Sequence, residues 1–94
     1  MLSAVRREDP ERLRRLVGRH MAERRRALGL TQEQLAVEMG ISAQYVSMVE
    51  RGAQNLAIDS LARFANALGV PVRDLFEPVA RIEPPRKGRP PRAT

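Results

Sequence analysis

The sequence predicts an all-α fold of five helices, and three observations carry that expectation. Apolar residues recur at three- and four-residue steps through most of residues 10–76. Gly29, Gly40, Gly52 and Gly69 each stand where one such pattern stops. No strand pattern intervenes, and 94 residues suit one small domain. Residues 1–9 show no sustained period and are expected to be a flexible segment. Residues 10–77 are expected to form the folded domain. Residues 78–94, which include IEPPRKGRPPRAT, are too rich in Pro and Arg to build a core and are expected to be a disordered basic tail.

Each element has its own local reasons. Asp9-Pro10-Glu11 starts the first helix, with proline in the first turn and acids at the positive end of the helix dipole. Leu13, Leu16, Val17, Met21, Ala22 and Leu28 form its apolar stripe, and Gly29 stops it. Thr31 opens the second helix, and Gln34 three residues later completes a capping box. Gly40 ends that helix, supplying the positive φ that a tight turn requires. Ser42 caps the third helix, which runs to about Arg51 and stops at Gly52. After the short polar loop 53–57, Ile58, Leu61, Phe64, Ala65 and Leu68 mark a fourth helix closed by Gly69. Pro71 is expected to start a short fifth helix carrying Val72, Leu75 and Phe76.

The second and third helices form a recognisable unit. Leu35, Ala36, Met39, Ile41, Val46 and Val49 are its apolar positions, and a small residue at 36 lets the two helices cross closely. The remainder of the third helix, Ser42, Ala43, Gln44, Tyr45, Ser47 and Met48, is then free to enter a major groove.

Charge and composition narrow the function further. The chain carries a net +6, unevenly spread. Residues 1–30 hold nine arginines against four acids, residues 31–80 three arginines against six acids, and residues 81–94 five cations against one acid. Basic ends around a mildly acidic centre suit attraction to a polyanion without sequence reading, though a solvated arginine-rich surface has the same composition. There is no cysteine, which excludes disulfides and thiolate metal sites and fits a reducing cytosol. His20 is the only histidine and is expected on the polar side of the first helix, without chemistry. The arginine run 24–26 is expected to be a solvated face apart from Arg25. No apolar run approaches a membrane helix or a signal-peptide core. A cytoplasmic, nucleoid-associated protein is expected.

At Leu30–Gly52, LTQEQLAVEMGISAQYVSMVERG resembles the repressor/Cro-like, or XRE, family. The likeness extends from about Arg25 to Phe76 and includes T-Q-x-x-L-A, Gly40, E-R-G and the L-x-x-x-A-x-x-L-G-V of the fourth helix. YVSMVERGAQNLAIDSL is similar to the small controller proteins of restriction–modification systems. The resemblance implies a five-helix lambda-repressor-like DNA-binding domain with its helix-turn-helix at helices 2 and 3. It implies that Gln32 binds a DNA phosphate through its side chain and helix-end amide. Ala43, Gln44, Ser47 and Met48 would face base edges. Tyr45, Arg51, Gln54 and Asn55 would lie near the groove wall and backbone. Arg25 and Glu50 would form a structural salt bridge between the first and third helices.

The chemistry of these residues separates them. Gln44 can both donate to and accept from adenine in a bidentate contact, worth about 1–3 kcal/mol of discrimination. Met48 suits a thymine methyl or simple apolar filling, and Ser47 is a weaker reader. Ala43 departs from the controller pattern, which would place a longer polar or basic residue there. Tyr45 has two readings, a phenol on phosphate or a ring packed over the loop, and exposure on the third helix would favour phosphate. Lys87-Gly88-Arg89-Pro90, flanked by Arg86 and Arg92, resembles the G-R-P core of an AT-hook, a minor-groove element. Lys87 stands where that motif has arginine, and a solubilising tail is the favoured alternative.

The function expected from all this is a sequence-specific transcriptional regulator that binds double-stranded DNA. A homodimer on a pseudo-palindromic operator is expected, because one recognition helix covers few base pairs. The dimer surface is expected from helices 4 and 5, where Val70, Val72, Leu75, Phe76 and Val79 exceed the needs of a small core. The alternative is an antitoxin-type protein that binds a partner protein and autoregulates, for which the tail offers only Val79 and Ile82 as anchors. An enzyme is not expected, since no nucleophile–base set, phosphate-cradling glycine loop or metal cluster is visible. No cofactor, metal or small-molecule ligand is expected.

Overall fold

The computed structural model describes residues 7–78. Within them the chain forms four α-helices and one 3₁₀ turn: α1 Pro10–Ala27, α2 Gln32–Met39, α3 Ala43–Glu50, α4 Ile58–Leu68, and the turn Val72–Phe76. The local signals act where the sequence places them. Asp9 caps α1 by accepting from the Glu11 amide at 3.1 Å. Thr31 and Gln34 make both halves of the capping box, at 2.9 and 3.0 Å. Ser42 Oγ accepts from the Tyr45 amide at 3.0 Å at the start of α3.

All four helices end the same way. At Gly40 the backbone turns left-handed at φ 69°, and the Ile41 amide reaches back to the Ala36 carbonyl at 3.0 Å. The same six-residue bond joins Leu30 to Arg25, Ala53 to Met48 and Val70 to Ala65, the pattern of a Schellman closure.

The core is one cluster. Val17 and Met21 of α1, Leu35 and Ala36 of α2, Val46 and Val49 of α3, and Leu61, Phe64, Ala65 and Leu68 of α4 are buried together with Leu75. Within the four α-helices the helical periods therefore bury the faces they should, with two exceptions. Leu28 and Ile58, assigned to the apolar stripes of α1 and α4, are exposed. Both lie at helix ends, beyond the point where a neighbouring helix can cover them.

The expected fifth helix is instead the five-residue 3₁₀ turn. Pro71 stays outside it with extended backbone at ψ 150°, and neither Pro71 nor any neighbouring side chain caps the turn. A segment this short cannot repay the nucleation of an α-helix, and it buries only Leu75.

Long side chains tie the elements together at their weak points, the helix C-termini. Arg24 Nε donates to the Leu68 carbonyl at 2.8 Å, and an Arg63 Nη donates to the Met39 carbonyl at 2.7 Å. Arg24 is thus a brace between α1 and α4 rather than part of a solvated run. His20 adds a further tie from α1. It is half-buried, and its Nε2 lies 2.7 Å from the Glu77 carbonyl oxygen, pinning the end of the 3₁₀ turn to α1.

Candidate nucleic-acid interface

Helix α3 is divided cleanly along its length. Val46 and Val49 are fully buried, whereas Gln44 and Arg51 are exposed and Ser47 and Met48 are half-buried between them. Positions 44, 47, 48 and 51 fall on one face of a 3.6-residue helix. That face carries one amide, one hydroxyl, one thioether and one guanidinium, and its acceptors and donors suit base edges at the near end and phosphate at the far end.

The helix is fixed in place by a buried ion pair. Arg25 Nε and Nη2 donate to the two carboxylate oxygens of Glu50 at 2.7 and 3.0 Å, a bidentate bond. Arg25 is only 8% exposed. The hydrogen bond to Glu50 raises the guanidinium pKa further above its ordinary value, against an opposing effect of burial. Its other Nη donates to the Leu30 carbonyl at 2.8 Å, so one side chain joins α1, the turn before α2 and the end of α3.

Gln32 enters the same network. Its Nε2 donates to Glu50 Oε1 at 2.8 Å, which commits the side-chain amide to α3. The backbone amides at the α2 N-terminus are a separate donor set. The family resemblance implies the Arg25–Glu50 pair, whereas this third member is visible only in the structure.

Other expected site residues are spread differently. Ser42 is exposed, but its hydroxyl is occupied as the cap of α3. Ala43 is half-buried and packs against the core. Tyr45 is not an exposed side chain: it is half-buried, and its ring stacks on Phe64 of α4 at 6.4 Å between centroids and 27° between planes. With Met39, Ile41, Ser42, Ser60, Arg63 and Phe64 it lines a cleft of about 350 Å³. Gln54 is half-buried, and Asn55 lines an apolar cleft with Pro10, Leu13, Leu56 and Phe76. Lys87 and Arg89 lie outside the described residues.

Two glycines set how close α1 comes to α3. A Cβ on Gly18 would meet the Val49 and Glu50 carbonyl oxygens, and one on Gly52 would lie 2.9 Å from both N and Cα of Arg15. Arg14 Nε also donates to the Gly52 carbonyl at 3.3 Å. Gly18 in mid-helix was a visible signal, because a glycine there costs helix stability unless packing requires it.

A helix-turn-helix family model matches residues 21–75, more than half of the chain, and covers every element from the core of α1 to the 3₁₀ turn. The chain belongs to the XRE, or Cro-type, helix-turn-helix family of DNA-binding proteins. It is 44% identical over 66 residues to the uncharacterised HTH-type transcriptional regulator y4dJ of Sinorhizobium fredii, spanning 70% of this chain and 86% of that one. It is similar to the crystal structure of the restriction–modification controller protein C.AhdI from Aeromonas hydrophila. There the TM-score is 0.62 at 39% identity, over 66% of this chain and 94% of the other. The hypothetical transcription factor NHTF from Neisseria superposes with a TM-score of 0.70 at 34% identity, over 82% and 88% of the two chains. In this helix-turn-helix protein no described helix is long and apolar enough to cross a membrane.

Proposed function

We propose that this protein regulates transcription by binding a pseudo-palindromic operator as a homodimer, with the exposed face of α3 reading bases. The observation that carries this reading is the division of α3. Gln44, Ser47, Met48 and Arg51 share one accessible face, while the opposite face is locked by Val46, Val49 and the Arg25–Glu50–Gln32 network. Gln44 is the principal reader, since its fully polar head is exposed and both amide functions are available to adenine. Met48 supplies an apolar contact of the kind a thymine methyl accepts. Ala43, turned toward the core, contributes shape more than contact. At α2, the free backbone amides of the first turn hold a phosphate while the Gln32 side chain steadies Glu50. Gln54 and Asn55 contribute at the backbone only at the margin of the interface.

Dimerisation follows from the small span of one recognition helix. Phe76, 39% exposed, with the half-buried Val70 and Val72 forms the surface that supports it. Leu75, expected on that surface, is 1% exposed and belongs to the core, and Val79 lies outside the described residues.

A salt-titrated footprint on the DNA upstream of the protein's own gene tests the reading. Gln44→Ala should relax base preference at one position per half-site, a loss of about 1–3 kcal/mol of discrimination. Gln32→Ala keeps the α2 backbone amides but frees Glu50, so it should weaken binding to every sequence alike by loosening the seat of α3. Unaltered preference in the Gln44 variant would remove α3 as the reading element.

A further inference from the structure

The reading face holds a single cation, Arg51, yet a DNA-binding surface needs positive charge to displace counterions. That charge is found on α1. Arg12, Arg15 and Arg19 stand at spacings of three and four residues and so share one face of the helix. Together with Leu16, Glu50 and Arg51 they line a cleft of about 400 Å³ between α1 and the end of α3. All four arginines are exposed. The one acid lining the cleft, Glu50, is already taken by Arg25 and Gln32. Among the described residues, the one ion pair reaching the row joins Arg19 to Glu23 at 3.5 Å, with both side chains more than half exposed, so solvent screens it. Four like charges around one cleft repel each other until an anion enters.

Two features connect this cleft to the DNA reader. Arg51 belongs both to the cleft and to the face of α3 that carries Gln44. Gly18 and Gly52 hold the α1 backbone directly against the last turn of α3, so the arginine row keeps a fixed register to the recognition helix. The row also lies ahead of residues 21–75, the segment matched by the family model.

We propose that Arg12, Arg15 and Arg19 form a second contact surface, a track for the DNA sugar–phosphate backbone flanking the bases that α3 reads. Seven residues of helix span about 10 Å. That is the axial rise of about three phosphates along one strand. Guanidiniums at these intervals add affinity without sequence information, because phosphates are the same at every position.

The proposal rests on α3 as the reading element, and the test separates the two. The triple variant Arg12→Gln, Arg15→Gln, Arg19→Gln keeps the aliphatic stem of Arg15 against Gly52 while removing the charges. Its binding is measured from low to moderate salt against a duplex of the gene's upstream DNA and a scrambled duplex of equal length. The expected result is a salt slope shallower by about 2–3, since each lost phosphate contact removes about 0.9. Affinity should fall on both duplexes by the same factor, about tenfold or more, with the ratio between them preserved. The corresponding triple lysine variant should restore the slope. A slope within about half a unit of wild type, in a variant whose helical circular dichroism is unchanged, overturns the arginine track. So does a loss confined to the upstream duplex. If instead Gln44→Ala leaves the ratio untouched while the arginine variant flattens the slope, it is the α3 reading that fails.

Discussion

At position 18 a single methyl group decides the distance between two helices. An ideal Cβ there would stand 2.5 Å from the Glu50 carbonyl oxygen, and the atoms it meets are backbone rather than the yielding end of a side chain. Gly18→Ala should therefore destabilise the fold by about 3 kcal/mol, the upper end of ordinary overpacking, even though alanine is the better helix former. A shifted urea midpoint is the readout, and a midpoint at or above the wild-type value would show that α1 can move away at no cost. Nearby, Glu50 illustrates how one residue serves three elements. It neutralises a buried guanidinium, receives the Gln32 amide, and ends α3. Its role is structural because both carboxylate oxygens are occupied by the protein itself.

Among the elements, the helix-turn-helix owes its angle to closures rather than to propensity. Helices α2 and α3 have eight residues each, below the length at which an isolated helix persists in water. Side-chain caps at their starts and left-handed closures at their ends make them definite. Gly40 and Gly52 perform the same backbone task in different surroundings. Nothing lies within 4 Å of a Cβ at Gly40, whereas at Gly52 the Arg15 backbone is 2.9 Å away. Gly40→Ala should thus cost only the left-handed strain, about 1–2 kcal/mol. Gly52→Ala should cost that and an added clash, and thermal melts of the pair should rank it the less stable. Equal melting temperatures would mean that α1 yields at Arg15. The 3₁₀ turn shows the opposite situation, an element without caps that persists because Leu75 is buried and His20 holds its end.

For the molecule as a whole, neighbouring residues of that turn have opposite duties. Leu75 is 1% exposed and Phe76 39%. Leu75→Ala should lower stability by about 2–5 kcal/mol through loss of buried surface and a residual cavity. If the subunits pair through this surface as proposed, Phe76→Glu should shift the sedimentation coefficient from dimer to monomer, lower the melting temperature modestly and weaken operator binding in proportion. A Phe76→Glu protein that still sediments as a dimer would move the subunit interface elsewhere. The charge distribution also works at this scale. The centre of the chain is acidic, the N-terminal third strongly basic, and the structure sets basic α1 alongside the end of α3.

The sequence by itself determined the bounds of the four α-helices and their left-handed closures, because each depends on a few residues close in the chain, and the family resemblance implied the Arg25–Glu50 pair. The apolar periods likewise identified most of the core. What tertiary structure alone decided was which apolar or polar residue finds a partner. Tyr45 turned to stack on Phe64, Leu75 entered the core while Phe76 stayed out, and Leu28 and Ile58 were left uncovered at helix ends. Arg24, Arg63 and His20 found carbonyl groups from 24 to 57 residues away. Gly18 and Gly52 met their close neighbours only when α1 came to lie across the end of α3. Such contacts join residues distant in the chain, where neither periodicity nor propensity carries information. The physical reason is the same in each case: burial and hydrogen bonding are settled by the neighbour that packing supplies, and the neighbour is chosen by the fold.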